Sequence, residues 1–339
     1  MTKELSIKAK ETRRLCVFVL IVLGLPALVS QFVPTKRHFD AEPIASLQAK
    51  NPDLILIGDS MLDSRIDARL LGDRLGGRHR VEILWNGGSA SACWYLMLKN
   101  YVVASGIHPK RCCIFFRDRL LTDPSFRTAG IFRSYFESLM HDDEPAIRTV
   151  LGRKIGPEEN GLARVITWFY PLNSRRHVYQ EAIGHMMFRA AATSAPGAKK
   201  LERLVNKTFD VAKMRGEVMA EASDVSETVA KPFDPSPQKS FLPYMVETAA
   251  QSKIPLCFVR VKRHPDPDGR TPQNEALRLY IRELRAWVES RGCVLIDDTD
   301  DPAFTPDMYL KAKDDHIGPW AKKRSTEIYA EKLRPLFAP

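Results

Sequence analysis

An apolar run that stops at a Gly-Asp-Ser triplet constrains the fold of this chain more than any other feature. Residues 54–57 read Leu-Ile-Leu-Ile, and Gly58, Asp59 and Ser60 follow at once. A short, uninterrupted apolar run is typical of a strand that is buried on both faces of a parallel sheet. Glycine permits a sharp turn at its end, so we expect Ser60 where the strand passes into a helix, exposed as a nucleophile would be.

A second motif near the C-terminus supplies partners for such a serine. Asp314 and His316 precede Pro319, which suits a first helical position, and we predict the last helix at residues 321–333. A serine hydroxyl needs a histidine to take its proton, and the histidine needs a carboxylate to orient it. We therefore predict Ser60 as nucleophile, His316 as general base and Asp314 as the orienting acid. Asp315, adjacent to the histidine, is expected to point away from it.

These two motifs together resemble the SGNH/GDSL hydrolase family, and within it the membrane-anchored branch that includes alginate O-acetylation proteins. The likeness covers about residues 50–125 and 250–335. It implies a three-layer α/β fold of the flavodoxin-like kind and an oxyanion hole next to the serine. The hole would be formed by the amides of Ser60 and of Gly87 or Gly88, in the segment that follows the second strand.

The chain departs from that family after the third predicted strand. Where the family has Gly-x-Asn-Asp, this chain has Arg117, Asp118 and Arg119. Two interpretations of Arg117 are open. It replaces the asparagine as an oxyanion donor, or it pairs with Asp118 and leaves the hole to backbone amides.

Alternating apolar runs and helical periodicities predict a doubly wound α/β domain over residues 38–339. The predicted strands are residues 54–57, 81–84, 112–116, 256–261 and 293–296. The predicted helices between them are residues 65–75, 92–105, 241–251 and 272–291. Residues 126–240 break this alternation and form a helical insertion that covers a sheet edge or acts as a lid. Its helices are expected at residues 131–140, 162–170 and 180–219.

Ligands of such sheets bind at the carboxyl ends of the strands, which is where Ser60, Gly87 and Arg117 fall. We expect Asp59 and Asn86 at this edge to contact the substrate. Arg260 and Lys262, at the end of the fourth strand, are expected to hold an anionic sugar or phosphate group.

The first 37 residues have the composition of a membrane anchor. Residues 15–33 contain no charged side chain. This uncharged stretch is long enough to form a helix across a bilayer core of about 30 Å. The basic flank places the N-terminus in the cytoplasm. We expect an uncleaved single-pass anchor in the bacterial inner membrane, with the catalytic domain on the periplasmic side; the alternative is a cleaved signal peptide.

The net charge of +10 does not indicate nucleic-acid binding, because half of it belongs to residues 1–37, which contain seven Lys/Arg and two Glu. No zinc-finger spacing or phosphate-binding glycine loop occurs, so we expect no metal, no cofactor and no nucleic acid.

Two functions remain open at this point. In the first, the protein is an esterase or O-acyltransferase that acts on acyl esters, acetyl esters before others, of an envelope or exported polysaccharide, with a membrane acyl-donor protein as a further partner. In the second, the site is degraded and the protein is a scaffold in a cell-envelope assembly.

Overall fold

The computed structural model describes residues 17, 18, 21, 24, 28, 39–77, 79–128, 132–141, 144–152, 232–311 and 314–337. The chain divides into two compact units, Met1–His38 with Lys154–Gly216 and Phe39–Arg153 with Glu217–Pro339. Every element below belongs to the second unit. Among the described residues, no helix combines the length and the apolar character needed to cross a bilayer. The anchor expected at residues 15–33 lies largely outside them and stays a prediction.

Five parallel strands form one sheet: β1 (Leu54–Gly58), β2 (Val81–Trp85), β3 (Arg111–Phe116), β4 (Leu256–Arg260) and β5 (Val294–Asp297). Their order across the sheet is β2-β1-β3-β4-β5. The three central strands are almost wholly buried because apolar side chains project from both of their faces into the core. The α/β class with a parallel sheet is therefore confirmed, and the strand bounds agree closely with the predicted ones.

The described helices are α1 (Glu42–Lys50), α2 (Ser60–Arg65), α3 (Ala68–Arg74), α4 (Ser91–Met97), α5 (Arg133–Ser138), α6 (Pro145–Leu151), α7 (Leu242–Gln251), α8 (Glu275–Glu289) and α9 (Lys322–Leu333). A π-helix, Leu98–Val103, continues α4. The single helix expected at residues 65–75 was wrong, because the chain breaks at Asp67, whose side chain caps α3 by accepting from the amide of Leu70 at 3.0 Å.

The helices form two groups, consistent with a three-layer fold. Helix α9 contacts both α2 and α3, and α1, α4, α7 and the π-helix form a second set of contacts. The terminal helix α9 is tied to the sheet by the Tyr329 hydroxyl, which donates to buried Asp298 after β5 at 2.7 Å, and by Lys332, which pairs with the same carboxylate. These contacts fix the segment that precedes α9, where the predicted histidine lies.

The insertion is described only at its two ends. Helix α5 corresponds to the helix expected at residues 131–140, and α6 follows it. The helices expected at residues 162–170 and 180–219 lie outside the described residues.

Candidate active site

Gly58 ends β1 and allows the next helix to begin immediately beside the sheet. A Cβ atom at this position would lie 2.8 Å from Cβ of Leu62 and 3.2 Å from Cβ of Phe115. Its φ does not fall in the left-handed region, so the reason for glycine is the close approach of α2 to the sheet. The contact brings Ser60, the first residue of α2, to the carboxyl edge of the sheet.

Replacing Gly58 with alanine should therefore strain the packing between β1 and α2. We expect Gly58→Ala to lower the free energy of unfolding by about 1–3 kcal/mol, because the added methyl group overpacks a buried contact. Urea unfolding followed by circular dichroism measures this loss. Gly87→Ala is the matched control, since no heavy atom lies within 4 Å of a Cβ there, and its unfolding free energy should change little. Equal effects of both substitutions would contradict the explanation from close packing.

Asp59 has a structural task at this turn. Its buried carboxylate accepts a hydrogen bond from the amide of Met61 at 2.8 Å and so caps α2. A carboxylate that is buried and engaged in capping is not available to a substrate. The expectation that Asp59 contacts the substrate is therefore corrected.

The loop that carries His316 is folded back on itself. Tyr309 and Ile317 form an antiparallel bridge, and the amide of Leu310 donates to the carbonyl of His316 at 2.9 Å. The amide of Ile317 also donates to the Ser64 hydroxyl of α2 at 3.3 Å. The loop is thus closed by its own backbone hydrogen bonds, and the bond to Ser64 holds it against the helix that begins with Ser60.

Ser60, His316 and Asp314 make direct contact across 256 residues of sequence. Nε2 of His316 lies 2.9 Å from Oγ of Ser60, and Nδ1 of His316 lies 2.7 Å from Oδ1 of Asp314. The same carboxylate oxygen accepts from the backbone amide of His316 at 3.1 Å. The histidine is about one-third exposed, with a side-chain accessibility of 34%. This arrangement can take a proton from the serine hydroxyl while the imidazole is held by the carboxylate.

The electrostatics favour a charged Asp314. Its partial burial would raise its pKa, but the hydrogen bonds from the ring and the amide of His316 outweigh that effect and hold the pKa below its usual value. The carboxylate is therefore ionised near neutral pH, as a residue that stabilises an imidazolium must be.

Asn86 and the two glycines after β2 form a tight turn at the same edge of the sheet. The amide of Ser89 donates to the carbonyl of Asn86 at 3.0 Å, and Gly88 has a φ of 79°, which favours glycine. Gly87 is exposed, whereas Gly88 is buried against Phe132, whose ring would lie 2.5 Å from an added Cβ. Of the two predicted oxyanion positions, Gly87 is thus the accessible one. Asn86 is half-buried beside it.

Ser89 connects this turn to the strand that leads to Ser60, and sequence reasoning missed it. Its hydroxyl donates to the carbonyl of Gly58 at 2.9 Å and accepts from the indole N–H of Trp94 at 3.0 Å. The turn after β2 is thereby held at a fixed position relative to the end of β1. Only its place at the end of the glycine turn could have drawn attention to this serine.

Arg117 lies after β3 and pairs with Asp315. Its Nη1 lies 2.8 Å from Oδ2 of Asp315, the residue before His316. Asp118, the partner considered from the sequence, pairs instead with Arg260 at 2.6 Å and with Arg263 at 3.4 Å. The pairing of Arg117 with its neighbour was therefore wrong, because Asp118 turns toward β4.

Arg260 and Lys262 also differ from their predicted role. Both side chains are buried, and Arg260 is enclosed by Asp118 and by Asp297, which lies at 3.3 Å. The Lys262 ammonium donates to the carbonyl of Gly269 at 2.9 Å. Since their charges are used inside the protein, neither is placed to hold a group of the substrate.

The described residues contain no group of three or more His, Cys, Asp and Glu side chains that could hold a metal ion.

Comparisons with known proteins provide little guidance for this site. No family model matches the chain, and no curated protein matches it. One match among solved structures is a gut microbial diltiazem-metabolizing enzyme, with a TM-score of 0.32 and 9% sequence identity. The match covers 84% of this chain and 47% of that one, so the chain spans about half of its length. A likeness at this TM-score and identity carries no argument about the fold or the chemistry of this chain.

Proposed function

We propose that this protein is a serine esterase or O-acyltransferase of the SGNH/GDSL type. The observation that carries the proposal is the continuous contact from Asp314 through His316 to Ser60, at 2.7 and 2.9 Å. The serine begins a helix at the carboxyl edge of a parallel sheet, the edge at which such folds bind ligands.

In the proposed reaction, Oγ of Ser60 attacks the carbonyl carbon of an ester and its proton passes to Nε2 of His316. The amides of Ser60 and Gly87 stabilise the negative oxygen of the tetrahedral intermediate. His316 then returns the proton to the departing alcohol, which leaves an acyl group on Ser60. Water or a sugar hydroxyl next gives up its proton to His316 and attacks this acyl group. The bond between the acyl group and Oγ then breaks, and His316 gives its proton to Oγ. This releases a carboxylic acid or a new ester and regenerates the free serine.

The proposed substrate is an acyl ester, with acetyl as the first choice, of a cell-envelope or exported polysaccharide. This part of the proposal rests on the sequence: the basic and apolar N-terminal segment would anchor the chain in the inner membrane, with the site on the periplasmic side. An O-acyltransferase in that position would receive its acyl group from a membrane donor protein.

Covalent labelling with a fluorophosphonate tests the proposal without knowledge of the substrate. We expect the folded chain to be labelled at Ser60, because only a serine activated by a base reacts readily with this probe. Ser60→Ala should abolish labelling, whereas Ser125→Ala, which replaces an exposed serine, should not change it. A well-folded chain that resists labelling would contradict the proposal and favour a non-catalytic scaffold.

Acyl transfer and hydrolysis are separated in a second assay. The chain is given p-nitrophenyl acetate with and without a soluble oligosaccharide, and the products are analysed by mass spectrometry. Acetylated sugar would indicate transfer, and free acetate alone would indicate an esterase.

A further inference from the structure

The carboxylate of Asp315 forms hydrogen bonds and ion pairs with groups that follow two strands. Its Oδ2 accepts from Nη1 of Arg117 after β3 at 2.8 Å and lies 3.4 Å from Nε of Arg263 after β4. Its Oδ1 accepts from the backbone amide of His264 at 2.9 Å. Burial would raise the pKa of Asp315, but these three groups outweigh it and hold the pKa below its usual value. The side chain is therefore a buried, charged anchor.

The backbone of Asp315 is held from a third direction. Arg65, at the end of the helix that begins with Ser60, is wholly buried and donates from Nη2 to the carbonyl of Asp315 at 2.9 Å. The same nitrogen donates to the carbonyl of Lys262 at 2.8 Å. One residue next to His316 is thus connected to β3, to β4 and to the nucleophile's helix.

Two adjacent carboxylates, those of Asp314 and Asp315, lie close enough in sequence to His316 to compete for its imidazole ring. Asp314 and Asp315 are consecutive residues, yet only Asp314 contacts the imidazole. Arg117 engages the other carboxylate at 2.8 Å, and a charge-assisted contact of this kind is among the strongest side-chain hydrogen bonds. If Arg117 were lost, Asp315 would keep only the longer contact to Arg263 and the amide of His264. Its charge would then be less compensated, one residue from His316.

We propose that Arg117 and Asp315 form a positioning pair, which holds the loop of His316 so that Asp314 orients the ring toward Ser60. This inference rests on the proposed function, and it gives Arg117 a different task from that of an oxyanion donor. Arg117 acts through Asp315, and neither residue touches the reacting atoms.

A double-mutant cycle distinguishes a positioning role of Arg117, which acts through Asp315, from direct donation to the oxyanion. The variants are Arg117→Gln, Asp315→Asn and the double variant, and the readout is the rate of fluorophosphonate labelling. For a positioning pair, we expect Arg117→Gln to slow labelling by about 10- to 100-fold in the native background, the range that coupled charge pairs reach. In the Asp315→Asn background the same substitution should have almost no further effect. An oxyanion donor predicts instead a loss of about 100- to 1,000-fold in both backgrounds, which would overturn the inference.

Two further measurements keep the result interpretable. Arg117→Lys retains the positive charge and should restore most of the labelling rate, even if Arg117→Gln weakens the fold. The ¹⁵N resonances of the His316 ring should change in Arg117→Gln and move back toward the native values in Arg117→Lys, independently of any reaction at Ser60. Native ring resonances in Arg117→Gln would overturn the inference.

These readouts also distinguish failure of the inference from failure of the proposed function. Normal labelling of the native chain with no coupling in the cycle would refute the positioning pair alone. Absence of labelling, together with ring resonances that respond to Arg117→Gln, would refute the serine chemistry and retain the pair.

Discussion

Replacing His316 with alanine is expected to lower the turnover of a short acyl ester by about 10⁴- to 10⁶-fold. The imidazole is the only described group in contact with both Oγ of Ser60 and the carboxylate of Asp314. Without it, the serine hydroxyl keeps its proton and is a poor nucleophile near neutral pH. Steady-state hydrolysis of p-nitrophenyl acetate by the purified chain measures the loss as a change in kcat.

The control for this prediction is His108→Ala. His108 is exposed and precedes β3, at the opposite edge of the sheet, so its removal should leave kcat unchanged. The double variant Ser60→Ala with His316→Ala should be no slower than either single variant, because residues that act as a unit do not contribute additively. A kcat for His316→Ala within about tenfold of the native value would rule out the proposed base, since base catalysis alone contributes more.

The strands were predictable because each is a short, mostly apolar run of suitable length. The run at residues 54–57 is buried on both faces in β1, and a run of that kind has few other stable arrangements. The helices were less predictable. The periodicity of residues 65–75 did not reveal that Asp67 would stop one helix and cap the next, since an apolar pattern can continue through a break in the backbone.

The contact between Ser60, Asp314 and His316 was foreseen from motifs, although their catalytic roles stay predictions. What the sequence did not reveal was the direction of side chains at the strand ends. A parallel sheet places Arg117, Arg260 and Lys262 at one edge, but it does not say whether each turns inward or outward. That depends on partners distant in sequence, such as Asp315, which lies 198 residues from Arg117.

The sequence led to the assignment of Arg260 to the substrate because it does not show which distant residues the side chain contacts. An arginine at a strand end is equally compatible with binding an anion and with neutralising a buried acid. In this structure the carboxylate of Asp118, whose side chain is 3% exposed, forms an ion pair with the guanidinium of Arg260 inside the protein. The consequences for stability distinguish the two roles.

Replacing Arg260 with methionine is expected to lower the free energy of unfolding by about 3–5 kcal/mol. The substitution replaces the aliphatic stem of arginine with an unbranched apolar side chain and removes the guanidinium. Asp118 stays buried, with only the longer contact to Arg263 at 3.4 Å. A buried charge that loses its partner retains the cost of desolvation and loses the attraction that offset it. Urea denaturation, with the slope compared between variants, measures the change.

The double variant Arg260→Met with Asp118→Asn removes both charges and should recover a large part of that stability, because no buried carboxylate remains to be compensated. Arg278→Met, on the exposed face of α8, is the matched control and should change the unfolding free energy by less than about 0.5 kcal/mol. A native unfolding curve for Arg260→Met, combined with a raised KM for an anionic ester, would show that Arg260 serves the substrate. The expected combination, a large loss of stability that Asp118→Asn relieves, assigns the arginine to the interior and leaves recognition of the substrate to other residues of the edge.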